Sequence, residues 1–289
     1  MAILTFLISI PLVFHEYSQN IFTFIGKAGF QLFLLQSYVP DSHIYYSFNG
    51  VAWSISTEMF FYLMFPFILK QLQKRKESWF FATLFAVVVL IEFAIGWILQ
   101  NDIQGLNTVY WLFYISPFFR ILDFLSGCCI AFLFLLKPVN VKGATLWEVI
   151  TVTLLIWVYV NVSHVPGSMG FGIIFVPFVG IMIYVFAHEK GWISRILQWR
   201  WLVFLGEVSF SFYMIHQLVF GYFWGLLHLS PPPLIGYVSV LVITLVASSM
   251  MYKFYEIPLR NKIRSLSGRI ENMIRSLKQK EEDREWIQT

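Results

Sequence analysis

The sequence predicts an all-α fold, a polytopic transmembrane helix bundle. Three observations carry this: a shortage of charge, apolar runs of membrane-crossing length, and basic residues gathered in alternate loops. Of the 289 residues, 58% are hydrophobic, 19% aromatic and 12% charged, and the mean hydropathy is +0.70. A soluble domain carries about 25% charged residues, so this chain cannot cover a globule of its size with polar groups. A soluble enzyme, a disordered chain and a secreted disulfide scaffold are excluded on that ground. The 2 cysteines, Cys128 and Cys129, are neighbours in an apolar run. With no CxxC spacing they read as small packing residues.

Runs able to cross about 30 Å of hydrocarbon predict spans near 53–70, 79–99, 120–137, 146–162, 171–187, 201–227 and 234–255. Ala2 to Phe14 is too short to cross comfortably, and it lacks the basic start and small-residue cleavage site of a signal peptide. It reads as the end of a further span, giving about eight spans. Gly26, Lys27 and Gly29 interrupt the stretch 21–39, which reads as interfacial or re-entrant. With these spans, all of the 20 Lys and Arg residues except Lys27 and Arg120 fall on one face. The positive-inside rule assigns that face, and with it the C-terminus, to the cytoplasm.

Residues 1–255 therefore form the membrane domain and 256–289 a charged cytoplasmic tail. In the tail, Ile263, Leu266, Ile270, Met273 and Leu277 recur at helical spacing. That pattern predicts an amphipathic helix on the anionic inner leaflet, or a coiled-coil contact.

An ionisable residue at membrane depth is costly and so a functional candidate. The sequence offers Glu58, Glu92, Arg120, Asp123, Glu207 and His216. Glu58 lies in the outer part of its span, with Ser54 and Tyr62 four residues to either side and no basic partner in its own helix. Arg120 and Asp123, three apart on one helical face, open an inward-going span. His216 shares a face with Ser209 and Tyr213, about 22 Å from the inner boundary at 1.5 Å per residue. Glu58, Arg120, Asp123 and His216 are thus expected at similar depth in the outer half, which a pocket would require. Each also has a structural alternative: a local ion pair for Arg120 and Asp123, a hydrogen-bonded core histidine for His216. Glu92, alone among aliphatics, and Glu207, near the inner boundary, read as packing residues. No HExxH, GxxxxGK(S/T) or GxSxG motif is present, and no separate basic platform exists for nucleic acid.

The run Asn49-Gly-Val-Ala-Trp53-Ser54-Ile-Ser56-Thr-Glu58-Met-Phe-Phe-Tyr62, closing at Pro66, resembles the signature N-x-x-x-W-S-(L/I)-x-x-E-x-x-F-Y-x-x-x-P of the acyltransferase 3 family. Three weaker elements follow in the family's order. Phe119-Arg120-Ile-Leu-Asp123-Phe124-Leu-Ser-Gly127 resembles R-x-x-(E/D)-F-x-x-G. Leu205-Gly206-Glu-Val-Ser209-Phe-Ser-Phe-Tyr213-Met-Ile-His216 resembles L-G-x-(I/V)-S-Y-x-(I/L)-Y-(L/I)-x-H. Tyr255-Glu256-Ile-Pro258-Leu-Arg260 resembles (Y/F)-E-x-P-x-R. Together they cover residues from about 49 to 260.

The resemblance implies a membrane-bound O-acyltransferase of typically ten spans. Its members move an acyl group, often acetyl from acetyl-CoA, to hydroxyls of envelope or exported polysaccharides. It further implies acyl-CoA as co-substrate with no permanently bound cofactor, a carbohydrate acceptor, no metal, and residence in a bacterial inner membrane. The family's catalytic histidine and its preceding arginine lie in the first span, and an R-x-x-R pair opens the third; neither matches this chain. Counted back from the C-terminus, about two N-terminal spans are expected to be missing. On this reading Glu58 orients that histidine or binds the acceptor, and Arg120 stabilises negative charge or anchors Glu58. Asn49, Trp53, Ser56 and Tyr62 shape the outer pocket, with Trp53 stacking on a sugar. Asp123, Ser209, Tyr213 and His216 are substrate or supporting contacts. Rival classes are a transporter or flippase of a glycan or small polar solute, and a non-catalytic membrane subunit.

Overall fold

The computed structural model describes residues 1–17, 20–99, 106–136, 143–165, 167–226, 228 and 233–268. Among these the secondary structure is helical throughout. In order it runs α1 (Ala2–Tyr17), α2 (Ile21–Leu32), α3 (Ser42–Tyr45), α4 (Trp53–Leu72), α5 (Ser78–Ile98), α6 (Leu106–Tyr110), α7 (Pro117–Leu136), α8 (Ala144–Asn161), α9 (Gly167–Gly170), α10 (Val176–Phe186), α11 (Trp192–Leu197), α12 (Arg200–Phe220) and α13 (Pro233–Met251). Six helical stretches among the described residues are long and apolar enough to cross a membrane: those containing α4, α5, α7, α8, α12 and α13. Two shorter apolar helices lie at Ala2–Phe14 and Ile173–Phe186.

The expected span 171–187 is where the sequence count and the structure differ. Gly172 adopts φ +128°, which breaks the helix, and a 3-10 turn at Ile173–Phe175 precedes α10. The 11 residues of α10 rise about 16 Å, half the hydrocarbon thickness. Hydropathy counts apolar residues and does not register a backbone break among them. The stretch 21–39 resolves into α2, whose Phe22 and Thr23 amides donate to the Asn20 side chain at 3.1 and 3.2 Å, and a 3-10 turn at Gln36–Tyr38.

The chain divides into two compact units, residues 2–204 and, with Met1, those from Leu205 on; the boundary falls within α12. In the first unit α7 packs along α5, and α10 packs on both α7 and α8. Phe81 of α5 and Phe132 of α7 stack with centroids 4.7 Å apart and planes 4° from parallel. Leu72 and the fully buried Cys129 fill the space beside them. Small residues permit the close crossings. A Cβ on Gly180 of α10 would meet Phe85 Cζ at 3.0 Å, and one on Gly96 of α5 would meet Ile173 Cδ1 at 3.1 Å.

A buried carboxylate organises the segment after α10. Glu148 of α8 is 1% exposed. It accepts from the backbone amides of Gly191 (3.1 Å), Ile193 (2.9 Å) and Ser194 (3.3 Å), and the Ser194 hydroxyl donates to it as well. Thr145 Oγ1 accepts from the Trp192 amide at 3.2 Å. The orphan amides that open α11 are thus satisfied by α8 side chains, the anion lying where the helix dipole favours it.

In the second unit, polar contacts tie α12 to the helix that follows α13. The Tyr252 hydroxyl donates to Glu207 Oε2 at 3.0 Å, and the Ser211 hydroxyl to Glu256 Oε2 at 2.8 Å. Arg260 Nη2 pairs with Glu256 Oε1 at 3.0 Å. The Tyr255–Arg260 motif thereby meets the Leu205–His216 motif through Glu256. α13 continues through a π-helical turn at Tyr252–Glu256 and onward as helix to Gly268. The first part of the expected tail helix is therefore continuous with the last span, with Ile263 and Leu266 exposed. Ile270, Met273 and Leu277 lie outside the described residues.

Candidate functional site

Ser116 and Pro117 set the position of the charged pair in α7. Proline's fixed φ suits the first helical position, and Ser116 Oγ accepts from the Phe118 amide at 3.3 Å. Arg120 and Asp123 then project from the first two turns, with Arg120 Nη1 2.5 Å from Asp123 Oδ2 and their side chains 31% and 22% exposed. Glu92 of α5, fully buried and with neither carboxyl oxygen hydrogen-bonded among the described residues, lies within electrostatic reach of Asp123 and Arg120. The local pair read from the sequence is thus a three-residue group joining two helices, one guanidinium against two carboxyls. Gly172 borders it: a Cβ there would be in ordinary contact with Arg120 Nη1, at 3.4 Å, and its φ of +128° is what favours glycine.

Behind this group lies a cavity of about 290 Å³ between α5, α7 and α10. Its lining includes Arg120, Asp123, Ser126 and Tyr114 and the apolar Phe85, Phe175, Val176, Val179 and Ile183; the Ser126 hydroxyl is buried. Tyr114 also belongs to a run of aromatic contacts. Its ring is 5.2 Å from Trp53 and 5.2 Å from Tyr110, and the hydroxyls of Tyr110 and Tyr46 are 2.7 Å apart. Trp53, Tyr114, Tyr110 and Tyr46 form a chain of rings leading away from the charged group.

The other sequence candidates take distinct places. Ser56 is fully buried and holds the chain around Gln36–Tyr38: it donates to Leu34 O at 2.6 Å, lies 2.7 Å from Ser37 Oγ and accepts from the Ser37 amide at 3.3 Å. Thr57 donates to Ile115 O at 2.9 Å, tying α4 to the residues just before α7. Asn49 is 1% exposed and precedes the short 3-10 turn into α4. Glu58 and Tyr62 lie on an exposed face of α4, the Tyr62 hydroxyl donating to Glu58 Oε2 at 3.4 Å. Phe61, by contrast, stacks on Phe124 of α7 at 5.1 Å. Within the first unit the structure brings Arg120, Asp123 and, through Tyr114, Trp53 to one cavity, and pairs Glu58 with Tyr62.

In the second unit, His216 Nδ1 lies 2.7 Å from Tyr213 O and its ring stacks on Phe212 at 6.2 Å. Ser209 donates to Gly206 O at 2.6 Å. Sequence reasoning passed over Tyr110 and Tyr114 and read Glu92 as a packing residue. The aromatic run ahead of Arg120 was a usable signal for the tyrosines. Glu92 stood out as an ionisable residue among aliphatics, but its partners stand on another helix and nothing local named them.

The family model described as "Acyltransferase domain" matches residues 1–253. The chain is 28% identical over 201 residues to the acyltransferase MdmB of Streptomyces mycarofaciens, a match covering 66% of this chain and 50% of that protein. It is 25% identical over 230 residues to the peptidoglycan O-acetyltransferase OatA of Listeria monocytogenes, covering 72% of this chain and 34% of the relative. It is 24% identical over 220 residues to the O-acetyltransferase OatA of Staphylococcus aureus, covering 73% and 36%. The chain thus spans between a third and a half of the relatives it matches. No solved structure matches it.

Proposed function

The chain belongs to the acyltransferase domain family, and from that premise we propose that it acts in a membrane O-acyltransferase. The reaction moves an acyl group, acetyl in the simplest case, from acyl-CoA to a carbohydrate hydroxyl of a cell-envelope glycan. One observation carries the site: the Arg120–Asp123 pair stands at a cavity that Tyr114 also lines, and Tyr114 packs against Trp53. The relatives named O-acetyltransferase support the reaction class.

In the transfer, the sugar oxygen forms the ester bond to the acyl carbon and the carbon–sulfur bond of the thioester breaks. The hydroxyl proton passes to a base, and the thiolate leaves to be protonated as CoA. Each demand has a group suited to it. Arg120 has five N–H donors in a rigid fork. With Asp123 holding one side, it can present others to the oxyanion that develops on the acyl carbonyl. Trp53 and Tyr114 offer flat faces for an apolar sugar surface. Glu58, with Tyr62, binds the acceptor or orients the base. The basic loops around Lys74 and Arg195 form the cytoplasmic face of a bacterial inner membrane and meet the phosphates of CoA, while the acceptor approaches from the opposite side.

The test is made in cells with the gene deleted and restored, fed labelled acetate. Ester-linked label in the glycan fraction should fall on deletion, return with the wild-type gene, and stay low with Arg120→Gln. Unchanged glycan label on deletion would overturn the reading.

A further inference from the structure

We propose that the cavity behind Arg120 and Asp123 is a slot for the hydrocarbon chain of an acyl group longer than acetyl, its carbonyl held at the Arg120 end. The proposal rests on the acyltransferase reading and names the acyl class that this site takes. Three features of the cavity lead to it.

The first is the distribution of polarity. Arg120 and Asp123, paired with each other, and Tyr114 are the polar or charged side chains on the lining besides Ser126, whose hydroxyl is buried, and Phe85, Phe175, Val176, Val179 and Ile183 are apolar. A sugar placed there would bury hydroxyls against hydrocarbon, leaving them without partners. An aliphatic chain carrying a single carbonyl has the matching polarity, one polar end and an apolar length.

The second is size. A cavity of about 290 Å³ is near the lower limit of ordinary small-molecule sites, which run from about 300 to 1,000 Å³. The lining residues Val176 to Ile183 lie along one helix and span about 10 Å of its axis. An acetyl methyl would occupy only the charged end and leave the rest of the apolar wall bare.

The third is Gly127. It lines the cavity, and a Cβ built on it meets nothing within 4 Å. Glycine here is not required by backbone contact, unlike Gly180, whose added Cβ would strike Phe85 at 3.0 Å. Position 127 is exposed and borders the cavity with free space beside it, so a larger side chain there can be accommodated and tests whether that space is used.

The experiment uses membranes containing the whole chain and a hexanoyl-CoA analogue with a diazirine at the chain terminus. After irradiation, adducts are mapped by mass spectrometry. Labelling is expected in the α7 and α10 segments, competed by unlabelled hexanoyl-CoA. Gly127→Leu should reduce it about tenfold or more, the loss expected when a few methylenes are kept from burial, and Gly127→Ala should retain it. Val179→Phe, from the facing helix, serves as the second blocking variant if Gly127→Leu accumulates poorly. Adducts elsewhere, equal labelling in the blocking variants, or displacement by added phospholipid but not by hexanoyl-CoA would each overturn the slot, the last by assigning the cavity to bilayer lipid. Transfer of acetyl in the gene-deletion assay without labelling here sinks the slot alone. Labelling here without any glycan transfer keeps the slot and sinks the enzymatic reading.

Discussion

A methyl group added to Gly191 would lie 1.9 Å from the carboxyl carbon of Glu148. The backbone of the segment entering α11 and the buried carboxylate of α8 therefore meet at a distance only glycine allows. Gly191→Ala should expel the carboxylate and uncap α11. Glu148→Gln should lose part of the charge-assisted bonding at lower cost. We expect about 3 kcal/mol of destabilisation for the first and about half that for the second, on the scale of lost hydrogen bonds to a charged group. Both should lower the melting temperature in detergent and speed tryptic cleavage at Lys190 and Arg195. Unchanged melting of Gly191→Ala would show that the cap is dispensable.

Arg120 is the single cation facing Glu92 and Asp123 among the interactions described for that group. Arg120→Met should leave two acidic groups without it, costing about 3–5 kcal/mol and depleting folded protein. Adding Glu92→Gln and Asp123→Asn to Arg120→Met should restore abundance, because the buried charge is then gone. Abundance of the triple variant no better than that of Arg120→Met would mean that the guanidinium stabilises by packing instead.

Glu58 stands on an exposed face of α4 with Tyr62 as its hydrogen-bonded neighbour. Glu58→Gln should therefore leave protein abundance close to normal. If Glu58 orients the base or the acceptor, glycan acylation should fall by about 10² or more, a general-base-sized loss. Normal acylation at normal abundance would remove Glu58 from the site.

Reporter fusions after Lys76, Lys142 and Arg200 should report the cytoplasm, and those near Gln104, Gly167 and Pro232 the opposite side. The positive-inside distribution of Lys and Arg underlies all six. One clear inversion would undo the assignment of the basic face to CoA.

Composition and hydropathy were enough to find the long helices, since a membrane segment must be apolar along its whole length. They did not register the break at 171–187, where the positive φ at Gly172 leaves a shorter apolar helix than the run of residues predicts. The motif around Trp53 and the Arg120–Asp123 spacing located part of the cavity, because residues three or four apart on a helix are neighbours by geometry. The partners of Glu92 were illegible for the opposite reason. Its proximity to Asp123 depends on how α5 crosses α7, and hydrophobic periodicity carries no record of which faces of two apolar helices meet. Ser56 illustrates a further limit. A motif serine suggests chemistry, yet its hydroxyl binds Leu34 O and Ser37.

The Glu92–Asp123–Arg120 contact also constrains how the chain is made. The ribosome delivers α5 to the translocon before Arg120 exists, so Glu92 must partition into lipid without its eventual neighbours. A charged residue at a helix centre costs about 2.5–3.5 kcal/mol on insertion scales, and the surrounding stretch, with a mean hydropathy of 2.3, is apolar enough to carry it. α7 enters later with Arg120 and Asp123 already neutralising each other one turn apart. The two helices then find one another sideways within the bilayer, and their docking, rather than either insertion, brings the buried acid to its partners.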